Sequence, residues 1–105
     1  MDRKEFQTRS AAALHHIDAR LGDLEHERLD VELAGDVLTL AFDDGGKFVI
    51  NAHSAAGQVW MAAGTTAWHF DPTDDGTWVA AKTGDELMAT VARVVSERLG
   101  EPVEL

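Results

Sequence analysis

The chain contains no cysteine. That absence excludes disulfides and thiolate metal sites, and it denies this chain any persulfide-carrying or cluster-ligating role of its own. Long hydrophobic runs are missing too. Nothing approaches the roughly 20 apolar residues a membrane helix needs, and the opening residues, Met1 to Phe6, lack a signal-peptide core. These features predict a cytoplasmic protein. Positive charge is scarce: 9 Lys and Arg stand against 19 Asp and Glu, for a formal net charge of −10. Phosphate backbones and anionic membranes would be repelled, so neither nucleic acid nor a membrane is an expected partner. Cations and basic protein surfaces fit better. There is no Ser/His/Asp order with a nucleophile elbow, no glycine-rich phosphate loop and no HExxH, so no conventional enzyme is expected.

What remains is a chain of 105 residues, enough for one ordinary domain over residues 1–105. From Asp2 to about Leu24, Phe6, Ala13, Leu14, Ile17, Leu21 and Leu24 recur at spacings of three, four and seven, which predicts one face of a helix, with Gly22 and the charged stretch Asp23 to Arg28 as its end and a turn. Leu29, Val31 and Leu33 then alternate with Asp30 and Glu32, the pattern of a strand buried on one side. Turn signals at Gly35-Asp36 and at Asp43 to Gly46 separate further strands over Val37 to Phe42 and Lys47 to Asn51. A loop over Ala52 to Gly57 precedes strands at Gln58 to Ala63, Ala67 to Phe70 and Thr77 to Ala81. Thr83 with Glu86 three residues on reads as a capping box for a final helix bearing Leu87, Val91, Val94, Val95 and Leu99, which Gly100 and Pro102 end. The order predicts an α+β two-layer sandwich: five to six antiparallel strands with both helices on one face and the other face open.

The charge is unevenly placed. Seven of the acids fall between Asp18 and Asp36, accompanied only by Arg20 and Arg28, whereas residues 45–70 contain no acid and one lysine, Lys47. Carboxylates gathered without cationic partners repel one another unless a cation screens them. The same acids would also suit a solvated helix end and a strand edge protected from pairing. A surface of this kind offers oxygen ligands to hard cations without a preorganised cage, so affinity should be modest and selectivity poor.

One stretch is more specific. Phe48-Val49-Ile50-Asn51, a six-residue spacer, Gln58-Val59-Trp60-Met61, then Trp68-His69-Phe70-Asp71 and Trp78 together resemble the signature of the bacterial, CyaY-type frataxin family. The resemblance extends to the acidic first helix and to the Gly35 to Leu40 hairpin, and so covers nearly the whole chain. It implies the frataxin-like fold and a regulator of iron-sulfur cluster assembly that binds ferrous or ferric iron weakly and needs no organic cofactor. It also implies docking to cysteine desulfurase and to the scaffold protein. By position, the iron-binding ridge would be Asp18, Asp23, Glu25, Glu27, Asp30 and Glu32, and the sheet-face patch Asn51, Gln58 and Trp60. Relatives commonly carry further acids at the positions of Ala19 and Gly22 and often a proline in the loop of His53 to Ala56, so this ridge is thinner. The resemblance implies a monomer, with an iron-driven oligomer and ferroxidase or storage activity as the alternative.

Parity refines the patch. Trp60 shares a face with Gln58, while Val59 and Met61 point the other way into the core. Trp68, Phe70 and Trp78 are assigned to the core. His15 with Asp18 has the i, i+3 spacing that can chelate a borderline metal, and His16 and His26 lie close by as further candidate ligands. His53 and His69 have no ligand-like spacing to any acid and read as surface residues.

Overall fold

The computed structural model describes residues 1–105. Helix α1 (Arg3–Gly22) opens on Asp2, whose carboxylate accepts the Glu5 backbone N–H, and helix α2 (Leu87–Leu99) closes on Gly100 in the left-handed conformation at φ 74°. Between them run β1 (Leu29–Ala34), β2 (Val37–Phe42), β3 (Lys47–His53), β4 (Gln58–Ala63), β5 (Thr66–Pro72) and β6 (Trp78–Ala80). The six strands form one antiparallel sheet in sequence order, β1-β2-β3-β4-β5-β6. This is the expected α+β sandwich, with the strand number resolved at six.

Strand parity builds the core. Leu38, Leu40, Ile50, Val59, Met61, Phe70 and Trp78 face the helices and meet Leu14, Ile17, Leu21, Val91 and Val95 in one buried cluster. Trp68, Phe70 and Trp78 are buried as their sequence context predicts, and the Trp68 indole N–H donates to Asp85 at 3.0 Å. Phe70 has no exposed surface, so its truncation to alanine would remove about 3 to 5 kcal/mol. Phe6 meets Trp78 edge-on at 5.7 Å, which ties the start of α1 to β6.

Several elements depart from expectation at their ends. Helix α1 stops at Gly22, where the sequence places its end, so Glu25 lies in the following turn; Leu24, counted on the apolar face, is exposed. Glu86, not Thr83, caps α2: its carboxylate accepts the N–H groups of Met88 and Ala89, while the Thr83 hydroxyl donates to Asp85. The capping-box spacing placed the cap one turn early, because Thr83 and Asp85 bond each other within a turn that precedes the helix. Strand β3 continues two residues beyond Asn51, where His53 pairs with Gln58 across the hairpin. Strand β5 is longer than expected and β6 shorter.

Candidate metal-binding edge and partner face

Two surfaces carry the candidate residues. The first lies where α1 packs across β1. Buried Ile17 and Leu21 fix the orientation of the last helical turns, leaving Asp18 half-buried at the margin. Asp23, Glu25 and Glu27 are exposed on the turn into β1, and Asp30 and Glu32 project from that strand on the side opposite Leu29, Val31 and Leu33. The six carboxylates therefore wrap the β1 edge of the sandwich. Glu25 adopts a positive φ of 47°, the one non-glycine residue to do so.

None of the six forms an ion pair. The ion pairs join other groups: Arg98 to Asp44 at 2.5 Å, Arg93 to Glu97 at 3.6 Å, and His26 to Glu101 at 3.2 Å. Arg28, the cation nearest in sequence to the strand acids, instead donates to the Leu99 carbonyl. The acids share an edge but do not converge, since no three carboxylates or imidazoles come together to hold one ion. An ion here would find fewer than three carboxylate or imidazole ligands and would draw on water for its shell. Two histidines near the edge are engaged elsewhere. His26 Nε2 contacts Glu101 and its Nδ1 accepts the Arg28 backbone N–H, while His16 Nε2 lies 2.8 Å from the Leu105 carbonyl.

The second surface is the open sheet face. Register aligns Ala34, Val37, Asn51, Trp60 and His69 in one row across five strands. Trp60 is half-buried and turned away from the helices, as its parity with Gln58 predicts. Its burial comes from an arrangement that spacing along the chain does not display. The His53 ring stacks on the indole with centroids 3.9 Å apart and planes 13° apart, and the His69 ring stacks at 4.4 Å and 15°. Because β3 and β5 flank β4 on opposite sides, the two imidazoles cover opposite faces of the indole. The indole N–H donates to Gln58 Oε1 at 2.8 Å, and the Gln58 amide donates onward to Asp71 at 2.9 Å. His53 and His69, which read as ordinary surface residues in the sequence, thus belong to the patch. The signal that finds them is strand register: once β3, β4 and β5 are aligned, His69 pairs directly with Trp60, and His53, paired with Gln58, is its diagonal neighbour on the same face. Beside the ring stack, Val49, Asn51, Ala62 and Ala67 line a shallow depression.

Three carboxyl groups are shifted, all outside the acidic edge. Asp75 is lowered to about 2, chiefly because it accepts the hydroxyl of Thr73 and then those of Thr77 and its backbone N–H. Asp44 is lowered by the Gly46 backbone N–H and by Arg98, and Asp85 by the Thr83 hydroxyl and the Trp68 indole. Hydrogen bonds to the ionised form are the common cause. No helix is long and apolar enough to cross a membrane.

Known proteins share this fold. The frataxin-like domain family model matches residues 1–101. The iron-sulfur cluster assembly protein CyaY of Paraburkholderia phymatum is 33% identical over 105 residues, covering 100% of this chain and 98% of that protein. The CyaY of Thioalkalivibrio sulfidiphilus is 41% identical over 78 residues, 73% of each chain. Among solved structures, frataxin from Psychromonas ingrahamii superposes with a TM-score of 0.90 at 25% identity, covering 99% of this chain and 97% of that one. Trimeric frataxin from the yeast Saccharomyces cerevisiae, complexed with ferrous iron, gives a TM-score of 0.77 at 28% identity over 89% and 87% of the two chains. Family model, whole-length relatives and superposed folds agree: the chain belongs to the frataxin-like family, alongside the bacterial CyaY proteins.

Proposed function

We propose that this protein regulates iron-sulfur cluster assembly in the cytoplasm, binding iron weakly on the edge formed by Asp18, Asp23, Glu25, Glu27, Asp30 and Glu32. The same edge meets a basic surface of cysteine desulfurase. The sheet face of Asn51, Gln58 and Trp60 meets the scaffold protein. The observation that carries this reading is the acidic edge itself: six carboxylates without an ion-pair partner, on a surface with no chelating cluster. Such a surface exchanges cations readily and attracts a basic protein over a distance of about one Debye length, roughly 8 Å at physiological salt. The CyaY relatives, iron-sulfur cluster assembly proteins by name, and the ferrous complex of the yeast relative support the same assignment.

The test is a pull-down of purified desulfurase and scaffold protein with and without ferrous iron, at low and high salt, with an NMR titration of ferrous iron alongside. Capture that weakens with salt, and shifts confined to Asp18 to Glu32, are expected. Failure to capture either partner at low salt, or shifts centred on His53 and His69, would overturn the assignment. The trimeric yeast relative favours a second reading, an iron-driven oligomer. Ferroxidase activity has less support, because two-iron oxidation sites draw on bridging carboxylates and no such cluster forms here. Sedimentation with and without iron separates monomer from oligomer.

A further inference from the structure

We infer that His53 and His69 are positioning residues for the partner face: by clamping the Trp60 indole from both sides they fix the one orientation in which it is presented. This inference rests on the proposed role of Trp60 in docking. An indole on an open sheet face is ordinarily free to change rotamer, and immobilising it on binding works against affinity. Here the ring is held at three points before any partner arrives. Two imidazoles lie nearly parallel to it, at 3.9 and 4.4 Å, its N–H is bonded to Gln58, and Gln58 is in turn bonded to Asp71. The His53 ring is itself anchored, since its Nδ1 accepts the Ala56 backbone N–H at 3.3 Å from the β3–β4 hairpin.

The geometry also restricts what the partner does. Both faces of the indole are occupied, so a partner guanidinium, ammonium or aromatic ring cannot stack on Trp60 without displacing an imidazole. Contact is through the ring edge, across the shallow depression beside it. Trp60 therefore acts as a rigid ledge and not as an inserted anchor. Specificity then depends on the shape of the partner where it meets that ledge.

The experiment is a double-mutant cycle measured as affinity for the purified scaffold protein, with His53→Ala, His69→Ala, Trp60→Ala and their combinations. Each histidine variant should weaken binding by about 2- to 10-fold, the range expected from freeing one or two side chains. In the Trp60→Ala background the same changes should have no further effect. His53→Phe and His69→Phe, which keep a flat ring, should restore affinity. A second readout needs no partner. The Trp60 indole N–H resonance in the free protein should broaden or move toward a solvent-exposed shift in the alanine variants and return in the phenylalanine ones. Histidine changes that weaken binding equally with and without Trp60, or an indole resonance indifferent to them, would overturn the inference. Normal binding by Trp60→Ala would sink the docking role instead, and the indole resonance would still decide whether the clamp exists.

Discussion

Replacing Trp60 with alanine tests the sheet face most directly, and the structure sets its size. A fully buried tryptophan would cost about 3 to 5 kcal/mol on truncation. Trp60 is half-buried and on the open face, so the cavity term is absent and most of the transfer term is reduced. What is lost is two ring stacks, worth about 0.5 to 1.5 kcal/mol each when well packed and less in partial solvent, and one neutral hydrogen bond to Gln58, worth about 1 kcal/mol or less where water can replace it. The expected destabilisation is about 1 to 2 kcal/mol. For a chain of 105 residues that corresponds to roughly 4 to 15 °C in Tm. Urea unfolding should show a lower midpoint with an unchanged slope, because the buried core stays intact. A loss above about 3 kcal/mol would mean that Trp60 packs as a core residue. A loss below about 0.5 kcal/mol would mean that the stack does not form in solution.

Neutralising Asp23, Glu25, Asp30 and Glu32 together as amides should leave Tm unchanged or higher while weakening ferrous and ferric binding, since like charges without partners are removed; a marked fall in Tm would make these acids structural. Acid unfolding should show the lowered carboxyls. Their folded-state pKa values lie below the unfolded ones, so they contribute stability above about pH 4, and for Asp75 that stability disappears as pH falls from 3.8 toward about 2. Asp75→Asn should therefore flatten the acid limb of the stability profile, and an unchanged limb counts against the hydroxyl contacts. Glu86→Ala removes the acceptor of two N–H groups at the start of α2 and should cost about 1 kcal/mol, seen as a lower urea midpoint, whereas Thr83→Ala should cost less if Glu86 is the cap.

The sequence showed most where a single periodicity governs. Leu14, Ile17 and Leu21 on the helix, and Val59 and Met61 against Gln58 and Trp60 on the strand, are sorted to their faces by spacing alone, and the structure sorts them the same way. Element ends were less legible, because they depend on local hydrogen bonds that compete with each other. Thr83 has the spacing of a cap, yet its hydroxyl is taken by Asp85 and the cap passes to Glu86. The acids of the edge were visible as a run of like charge, but their failure to converge on a common centre is a property of three dimensions. The His53–Trp60–His69 clamp was hidden for a related reason. Its members lie on three strands, separated along the chain by seven and nine residues, and only the register of β3, β4 and β5 stacks their rings.

Glu25 shows how backbone and charge can be separated at the acidic edge. Its φ of 47° lies in the left-handed region, which costs an L-residue about 1 to 2 kcal/mol relative to glycine. Glu25→Gly relieves that cost but adds about 0.4 to 1 kcal/mol of unfolded-state freedom, so the net effect should fall between about 0 and 1.6 kcal/mol of stabilisation. Glu25→Gln keeps the backbone demand and removes only the charge, so its stability should stay close to that of the parent. Both lose the carboxylate. If the edge binds iron through its charges, the two variants should lose ferrous affinity to the same extent despite their different melting temperatures. If only the glycine variant loses affinity, the turn conformation and not the carboxylate supplies the contact. Paired thermal melts and iron titrations on the two proteins make that distinction, and an affinity that tracks stability in place of charge would refute the electrostatic account of this edge.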